Sequence, residues 1–192
     1  GISIRDSSVL FNDLQLHSRI GALYFDGELE RFSNYFDGSL RFERIDMSFL
    51  NSNKLILIPV NGTAAGIISS SGSLDAPDLS ISVNLEDGSI DDIPVERFDL
   101  KTVFSGNHCR LDTLSLSSPV GFGFASGDIG NLNLRDIYRN REEALTETES
   151  DLEIYCGQLS VKPFIDYFPG IPFSDGVFTG KARVAGSLIH PE

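Results

Sequence analysis

Between Cys109 and Leu134 the chain reads CRLDTLSLSSPVGFGFASGDIGNLNL, and between Leu10 and Phe32 it reads LFNDLQLHSRIGALYFDGELERF. In the later stretch Leu114/Leu116 and Val120/Phe122/Phe124 form two alternating apolar runs, separated by Ser117-Ser118-Pro119 and followed by Gly127. Alternation with a period of two predicts a strand, a tight turn and a return strand with apolar side chains on one face. At an offset of 100 residues Leu14 falls on Leu114, Leu16 on Leu116, Ser18 on Ser118, Ile20 on Val120, Gly21 on Gly121, Tyr24 on Phe124 and Gly27 on Gly127. The half-buried hairpin is therefore a repeating unit, and repetition of such a unit favours an array with a continuous apolar surface.

Charge narrows the function classes. Lys and Arg total 15 against 28 Asp and Glu, a net charge of −13, and binding to nucleic acid needs the opposite balance. No stretch approaches the roughly 20 apolar residues of a membrane-spanning helix, and the N-terminus lacks the basic, apolar and small-residue zones of a signal peptide. The chain opens inside one repeat and stops at Gly186-Ser187-Leu188-Ile189-His190-Pro191-Glu192, where the other copy begins a strand. It reads as an excised piece whose signals and anchors lie elsewhere. Cys109 and Cys156 are too few for a disulfide framework and too far apart for a CxxC site; they can pair in an oxidising compartment or stay reduced and partly buried.

Along the chain, short strands are expected at Ile2–Ile4, Val9–Leu16 and Ile20–Phe25, with Asp26-Gly27 and Asp37-Gly38 as turns. Ser39–Phe49 alternates with one slip between Phe42 and Ile45, which a β-bulge would supply. Leu55–Val60 is apolar on both parities and precedes Asn61-Gly62, a hairpin signal, and a return strand over Thr63–Ile68. Cover on both faces conflicts with Pro59, which belongs at an edge or a bulge. Ser69–Ser73 reads as a turn cluster. Leu79, Ile81, Val83 and Leu85 alternate with polar residues, Asp87-Gly88 turns the chain, and Val95–Phe104 returns with Phe98, Leu100 and Phe104 on one parity. Residues 133–151 have helical spacing and many glutamates, so they form a short helix or a solvated acidic excursion. Gly72-Ser-Leu and Gly186-Ser-Leu lie 114 apart, so this segment is the 14-residue insertion that lengthens the second copy. Strands resume at Ile154-Tyr155, Leu159–Val161 and Val177–Val184 around a loop at Phe168–Pro172. The units are placed at 1–71, 72–134, 135–151 for the insertion and 152–192.

No catalytic constellation stands out, and the chain is read as a non-enzyme without cofactor or metal. His17, His108 and His190 are scattered. Asp87–Asp92 lacks the ligand order of a calcium loop, and Gly121–Phe124 lacks phosphate-loop spacing. A glycosidase-like carboxylate pair is the enzymatic rival, but nothing selects one. The apolar face remains. It would ordinarily pack on a second layer; with short repeated strands and little helix, it suits an elongated sheet curled over its own apolar face, leaving a groove.

The order of apolar strand, Gly-Ser-Leu-x-x-Pro, alternating strand, Asp-Gly, Ile-Pro-Val, alternating strand and Leu-Asp-Thr-Leu-Ser-Leu over Gly72–Leu134 resembles the repeats of the TamB family, in the AsmA-like superfamily. Phe168-Pro169-Gly170, Asp175–Gly180 and Ala185–Leu188 resemble other passages of that family. The resemblance implies an all-β periplasmic β-taco, a curled antiparallel sheet anchored in the inner membrane by a segment outside this piece. It implies carriage of phospholipid between the inner and outer membranes, alongside a barrel partner of the TamA type bound by other parts of the chain, and no catalytic residues. By position it assigns acyl chains to Leu14, Leu16, Ile20, Tyr24, Leu79, Ile81, Val83, Leu85, Phe98, Leu100, Leu114, Leu116, Val120, Phe122 and Phe124. The alternative is a scaffold for outer-membrane protein assembly that binds client strands by strand addition.

Overall fold

The computed structural model describes residues 1–52, 59–74, 76–91, 93–132, 148–160 and 176–187. Eleven strands form one antiparallel sheet in chain order: β1 (Ile2–Ile4), β2 (Ser8–Ser18), β3 (Gly21–Glu30), β4 (Tyr35–Asp46), β5 (Val60–Ser73), β6 (Ala76–Ile90), β7 (Ile93–Ser105), β8 (His108–Ser118), β9 (Gly121–Gly130), β10 (Glu149–Ser160) and β11 (Val177–Gly186). The sheet is elongated and curled and does not close into a barrel. At about 4.8 Å between strands it extends roughly 50 Å along its surface. The helix α1 (Met47–Ser52) is the one helix among the described residues; none there is long and apolar enough to cross a membrane.

Substantial contacts join only chain neighbours, so no second layer covers the sheet among the described residues. The best-buried apolar group is Ala64, Leu85 and Val95, each at most 3% exposed, with Phe42, Met47, Val60, Ile90, Phe98 and Leu116 packed around it. The short helix closes one end of this cluster. It begins where Asp46 accepts hydrogen bonds from the Ser48 backbone N–H at 3.0 Å and its hydroxyl at 2.6 Å, an N-cap that ends β4. These bonds hold the Asp46 carboxyl below the usual carboxylate range. Asn51 then fastens the helix to β5: its amide donates to the Val60 carbonyl at 2.6 Å, and the Val60 N–H donates to its oxygen at 3.0 Å. Phe49, expected to extend a strand, lies in this helix instead.

Several expected turns are strand interior. Asp26-Gly27 lies within β3, Asp37-Gly38 and Ser69–Ser73 within β4 and β5, Asn61-Gly62 within β5, and Asp87-Gly88 within β6. The Gly-containing dipeptides near 62 and 88 serve bulges. Gly62 has φ +113°, Asp87 has φ +49°, and the β5–β6 register shifts between Asn61 and Thr63. A Cβ at Gly88 would sit 2.0 Å from the Asn61 carbonyl oxygen, so the two bulged strands approach as only glycine allows. The bulge expected between Phe42 and Ile45 is present, as is the turn at 119–120 between β8 and β9. The Leu55–Ile58 run, residues 133–147 of the possible helix at 133–151 and the loop at 168–172 lie outside the described residues; Glu149–Asp151, the end of that expected segment, open β10 instead. The boundary at 71/72 falls inside β5 and that at 151/152 inside β10.

Candidate functional site

Directly opposed residues of an antiparallel pair project from the same side of the sheet, so the registers sort side chains by face. Leu16, Leu23, Phe42, Gly66 and Val83 oppose one another in turn from β2 to β6. The same row continues through Leu100, Leu114, Ala125, Ile154 and Ala182 to β11. A parallel row runs through Leu14, Phe25, Leu40, Ile68 and Ile81, meets Thr102, and continues at Leu111, Gly127, Leu152 and Val184. On either side lie Leu85 opposite Phe98 opposite Leu116, and Leu79 opposite Phe104 opposite Cys109. The result is an apolar face unbroken from β2 to β11. Most of its side chains are half-buried, and Leu16, beyond the reach of the short β1, is 62% exposed.

Aromatic rings thicken this face near its first strands. Phe11 meets Phe25 edge-on at 5.2 Å, and Phe25 stacks on Phe36 at 6.2 Å. The Phe36 ring lies over Gly38 and the Phe42 ring over Gly66, where a Cβ would come within 2.7 Å of ring carbon. Glycine leaves room for the ring to lie flat on the backbone, which keeps the floor apolar where a side chain is missing. The polar residues that enter the face direct their hydroxyls to neighbouring carbonyls. Thr102 donates to the Arg110 carbonyl at 3.0 Å and touches the Cys109 sulfur at 3.2 Å, and Ser150 donates to the Gly186 carbonyl at 2.7 Å. No buried side-chain polar atom lacks a partner among the described residues. Cys109 and Cys156 are free thiols; burial raises the Cys109 pKa, partly offset by the Thr102 hydrogen bond.

Charge is confined to the opposite face. Arg97 pairs with Asp99, Arg110 with Asp112, and Arg41 with Glu43, each two residues along one strand. Lys181 pairs with Glu153, and the Arg183 guanidinium holds both oxygens of Asp151 at 2.6 Å, bidentate. That hydrogen-bonded pair holds the Asp151 carboxyl below its ordinary range and raises Arg183 above its own.

Ten of the fifteen expected groove residues share the apolar face: Leu14, Leu16, Leu79, Ile81, Val83, Leu85, Phe98, Leu100, Leu114 and Leu116. Five do not. Tyr24, Phe122 and Phe124 project from the charged face, and Ile20 and Val120 sit in the two-residue turns. The reason is parity. Ser18 opposes Gly21 and Ser118 opposes Gly121, so an even-numbered residue on the first strand opposes an odd-numbered residue on the return. The true partners of Leu16 and Leu14 are Leu23 and Phe25; those of Leu116 and Leu114 are Gly123 and Ala125. Counting through the turn as if it were strand selected the wrong face. Tyr24 instead lies beneath the Arg41 guanidinium at 4.3 Å and donates its hydroxyl to Glu43 at 3.4 Å. Phe122 lies over Gly157 and 5.7 Å from the Tyr155 ring, and Phe122 and Phe124 are 43% and 40% exposed.

Leu23, Phe25, Leu40, Phe42, Ile68 and Leu111 belong to the face and were not expected there. Pairing across the serine turns would have found the first two. Leu40, Phe42 and Ile68 need the β3–β4 and β4–β5 registers, and Leu111 needs the bulge before Leu114. No group of His, Cys, Asp and Glu suited to a metal ion occurs among the described residues. The arrangement offers a long apolar surface whose Thr102 and Ser150 hydroxyls are already bonded to neighbouring carbonyls, and it can hold alkyl chains or apolar side chains. No family model matches the sequence, and neither the curated proteins nor the solved structures contain a match.

Proposed function

We propose that this chain is a segment of a periplasmic protein, TamB-like in kind, that carries phospholipid between the inner and outer membranes. Acyl chains lie along the apolar face and head groups stay in water. The observation that carries the reading is the apolar row from Leu16 to Ala182, with no covering layer among the described residues and the ion pairs gathered on the other face. A fully buried methylene gains about 0.8 kcal/mol, and a chain lying on a one-sided floor gains part of that at each position. Similar side chains on successive strands then give similar binding along the row, which permits movement without deep traps. Other parts of the protein supply the inner-membrane anchor and the contact to a TamA-type barrel.

The test places a photo-crosslinking side chain at Leu100, on the apolar floor, and at the adjacent Lys101, on the charged face, in the full-length protein in cells. Lipid capture is expected at Leu100 and not at Lys101; equal capture at the two sites would sink the assignment. A second reading, a scaffold whose groove accepts client strands, draws on the same apolar face. Native mass spectrometry separates them, because a conduit purifies with lipid and a scaffold does not require it.

A further inference from the structure

Strands β1–β5 recur as β7–β11, a period of six strands. Ile2, Ser3 and Ile4 oppose Phe11, Leu10 and Val9, and 100 residues later Thr102, Val103 and Phe104 oppose Leu111, Arg110 and Cys109. After the insertion the displacement is 114: Phe36 opposite Gly72 becomes Ser150 opposite Gly186, and the bulge between Phe42 and Ile45 recurs between Cys156 and Leu159. Both copies lock the turn after β2 or β8 onto this bulge in the same way. The Asp46 N–H donates to the Ile20 carbonyl at 2.9 Å, as Ser160 does to Val120 at 2.6 Å. Gly21 has φ +138° and Gly121 +135°, and left-handed Arg44 (φ +54°) is matched by Gln158 (φ +52°). With the backbone constant, side chains that differ between the copies are not demanded by the fold.

At this junction the first copy forms an open cleft of about 390 Å³ at the rim of the charged face, lined by His17, Ser18, Arg19, Tyr24, Glu43 and Arg44. Gly21 draws its two walls together, since a Cβ there would stand 2.8 Å from the carbonyl oxygens of Glu43 and Arg44. Glu43 is already held by the Arg41 guanidinium at 3.2 Å and by the Tyr24 hydroxyl at 3.4 Å. His17 packs edge-on against the Tyr24 ring at 5.6 Å and lies 3.3 Å from the Gln15 amide oxygen. Arg19 and Arg44 are exposed and have no ion-pair partner among the described residues. Two uncompensated guanidinium groups thus line one cleft in a chain of net charge −13. The second copy builds the same junction without them. Ser117, Pro119, Tyr155 and Gln158 stand where His17, Arg19, Arg41 and Arg44 stand in the first, and Gly157 replaces Glu43.

We propose that this cleft binds the phosphate group of a phosphate ester between the guanidinium groups of Arg19 and Arg44. Each planar guanidinium matches a pair of anionic oxygens, and a phosphate monoester offers three terminal oxygens and nearly two negative charges to two such forks. A carboxylate has two oxygens and is satisfied by one fork. The net negative charge of the chain repels anions at long range, so retention of one depends on this local arrangement. The cleft falls at the lower end of small-ligand sites, about 300–1,000 Å³, which leaves room for a phosphate with a short organic substituent. Such a phosphate arrives on a soluble ester or on a lipid head group; Leu16 of the apolar floor lies at the same rim, two residues before Ser18. The inference rests on the cleft's own residues and is independent of what the apolar face carries.

The test is calorimetric titration of the whole chain with glycerol phosphate, a soluble ester, with dihexanoyl phosphatidic acid below its micellar concentration, a lipid ester of the same phosphate, and with acetate. At least one ester should bind, about tenfold or more tighter than acetate. Binding of both esters assigns the site to phosphate monoesters in general, of the lipid alone to a head group, and of glycerol phosphate alone to a soluble ester. Arg19→Gln combined with Arg44→Gln should weaken that binding by about tenfold or more and leave the circular dichroism unchanged, since glutamine already occupies the matching backbone position at Gln158. Lys101→Gln combined with Lys181→Gln removes two charges elsewhere on the same face and should change the affinity by no more than about twofold. Absence of binding by either ester, acetate binding as tightly as the esters, or equal affinities in the two double variants would each overturn the proposal.

Discussion

At the scale of single residues, burial in this molecule is concentrated where several strands bring large side chains onto one small neighbour. Leu85 is 3% exposed because Ala64 opposes it on β5 and Phe98 opposes it on β7, with Val95 beside them. Replacing Leu85 with Ala removes apolar contact and leaves a void that a sheet held at both sides cannot close, so the expected cost is about 2–4 kcal/mol. Urea unfolding followed by circular dichroism measures it. Lys101→Ala, an exposed residue on the charged face of β7, should shift stability by no more than about 0.5 kcal/mol. Similar midpoints for the two variants would mean that the cluster is not the core. Leu79, Ile81, Val83 and Leu85 were legible in sequence because they lie in one uninterrupted alternating strand. Tyr24, Phe122 and Phe124 were misplaced because their face is decided across a turn, by a pairing that local alternation does not encode.

At the scale of elements, the devices that shape the strands are glycine turns and bulges. Gly121 opens β9 with φ +135°, and a Cβ there would stand 2.5 Å from the Leu159 Cα. Gly21 repeats the arrangement in the first copy, with φ +138°. Gly121→Ala combines a disfavoured backbone with a backbone clash, so it should destabilise the chain by about 1–3 kcal/mol. Gly123→Ala is the control, since its nearest new contact is 3.9 Å away. Thermal unfolding should separate the two variants clearly; equal melting temperatures would contradict the turn geometry. The slip between Phe42 and Ile45 could be read in the sequence because the apolar parity changes there. Asp87-Gly88 and Asn61-Gly62 could not be told from hairpin turns, because left-handed backbone serves both a turn and a bulge. The choice depends on whether the partner strand lies ahead in the chain or alongside.

At the scale of the whole molecule, the sheet separates its chemistry by side, with apolar rows on one face and ion pairs on the other. A charge on the floor tests whether that separation matters for function. Leu114→Arg places a guanidinium in the middle of the apolar row, between Leu100 and Ala125. With the photo-crosslinker at Leu100 of the full-length protein, lipid capture should fall at least several-fold while the β-sheet circular dichroism persists. Undiminished capture with the fold intact would count against a continuous conduit.

The alternating pattern determined by itself that this chain forms strands with one apolar side, because a period of two matches the pleat and nothing else. The offset of 100 residues likewise carried the repeat, since equal sequences in equal surroundings adopt equal registers. Which of two alternating sets forms the continuous floor was decided only in the tertiary structure. A two-residue turn reverses parity and a bulge reverses it again, and both are settled by hydrogen bonds between consecutive strands, which alternation within one strand does not encode. The six-strand period belongs to the same class of fact. Register pairs of β1–β5 recur in β7–β11, displaced by 100 residues before the insertion and by 114 after it, and that change of offset hides half of the correspondence.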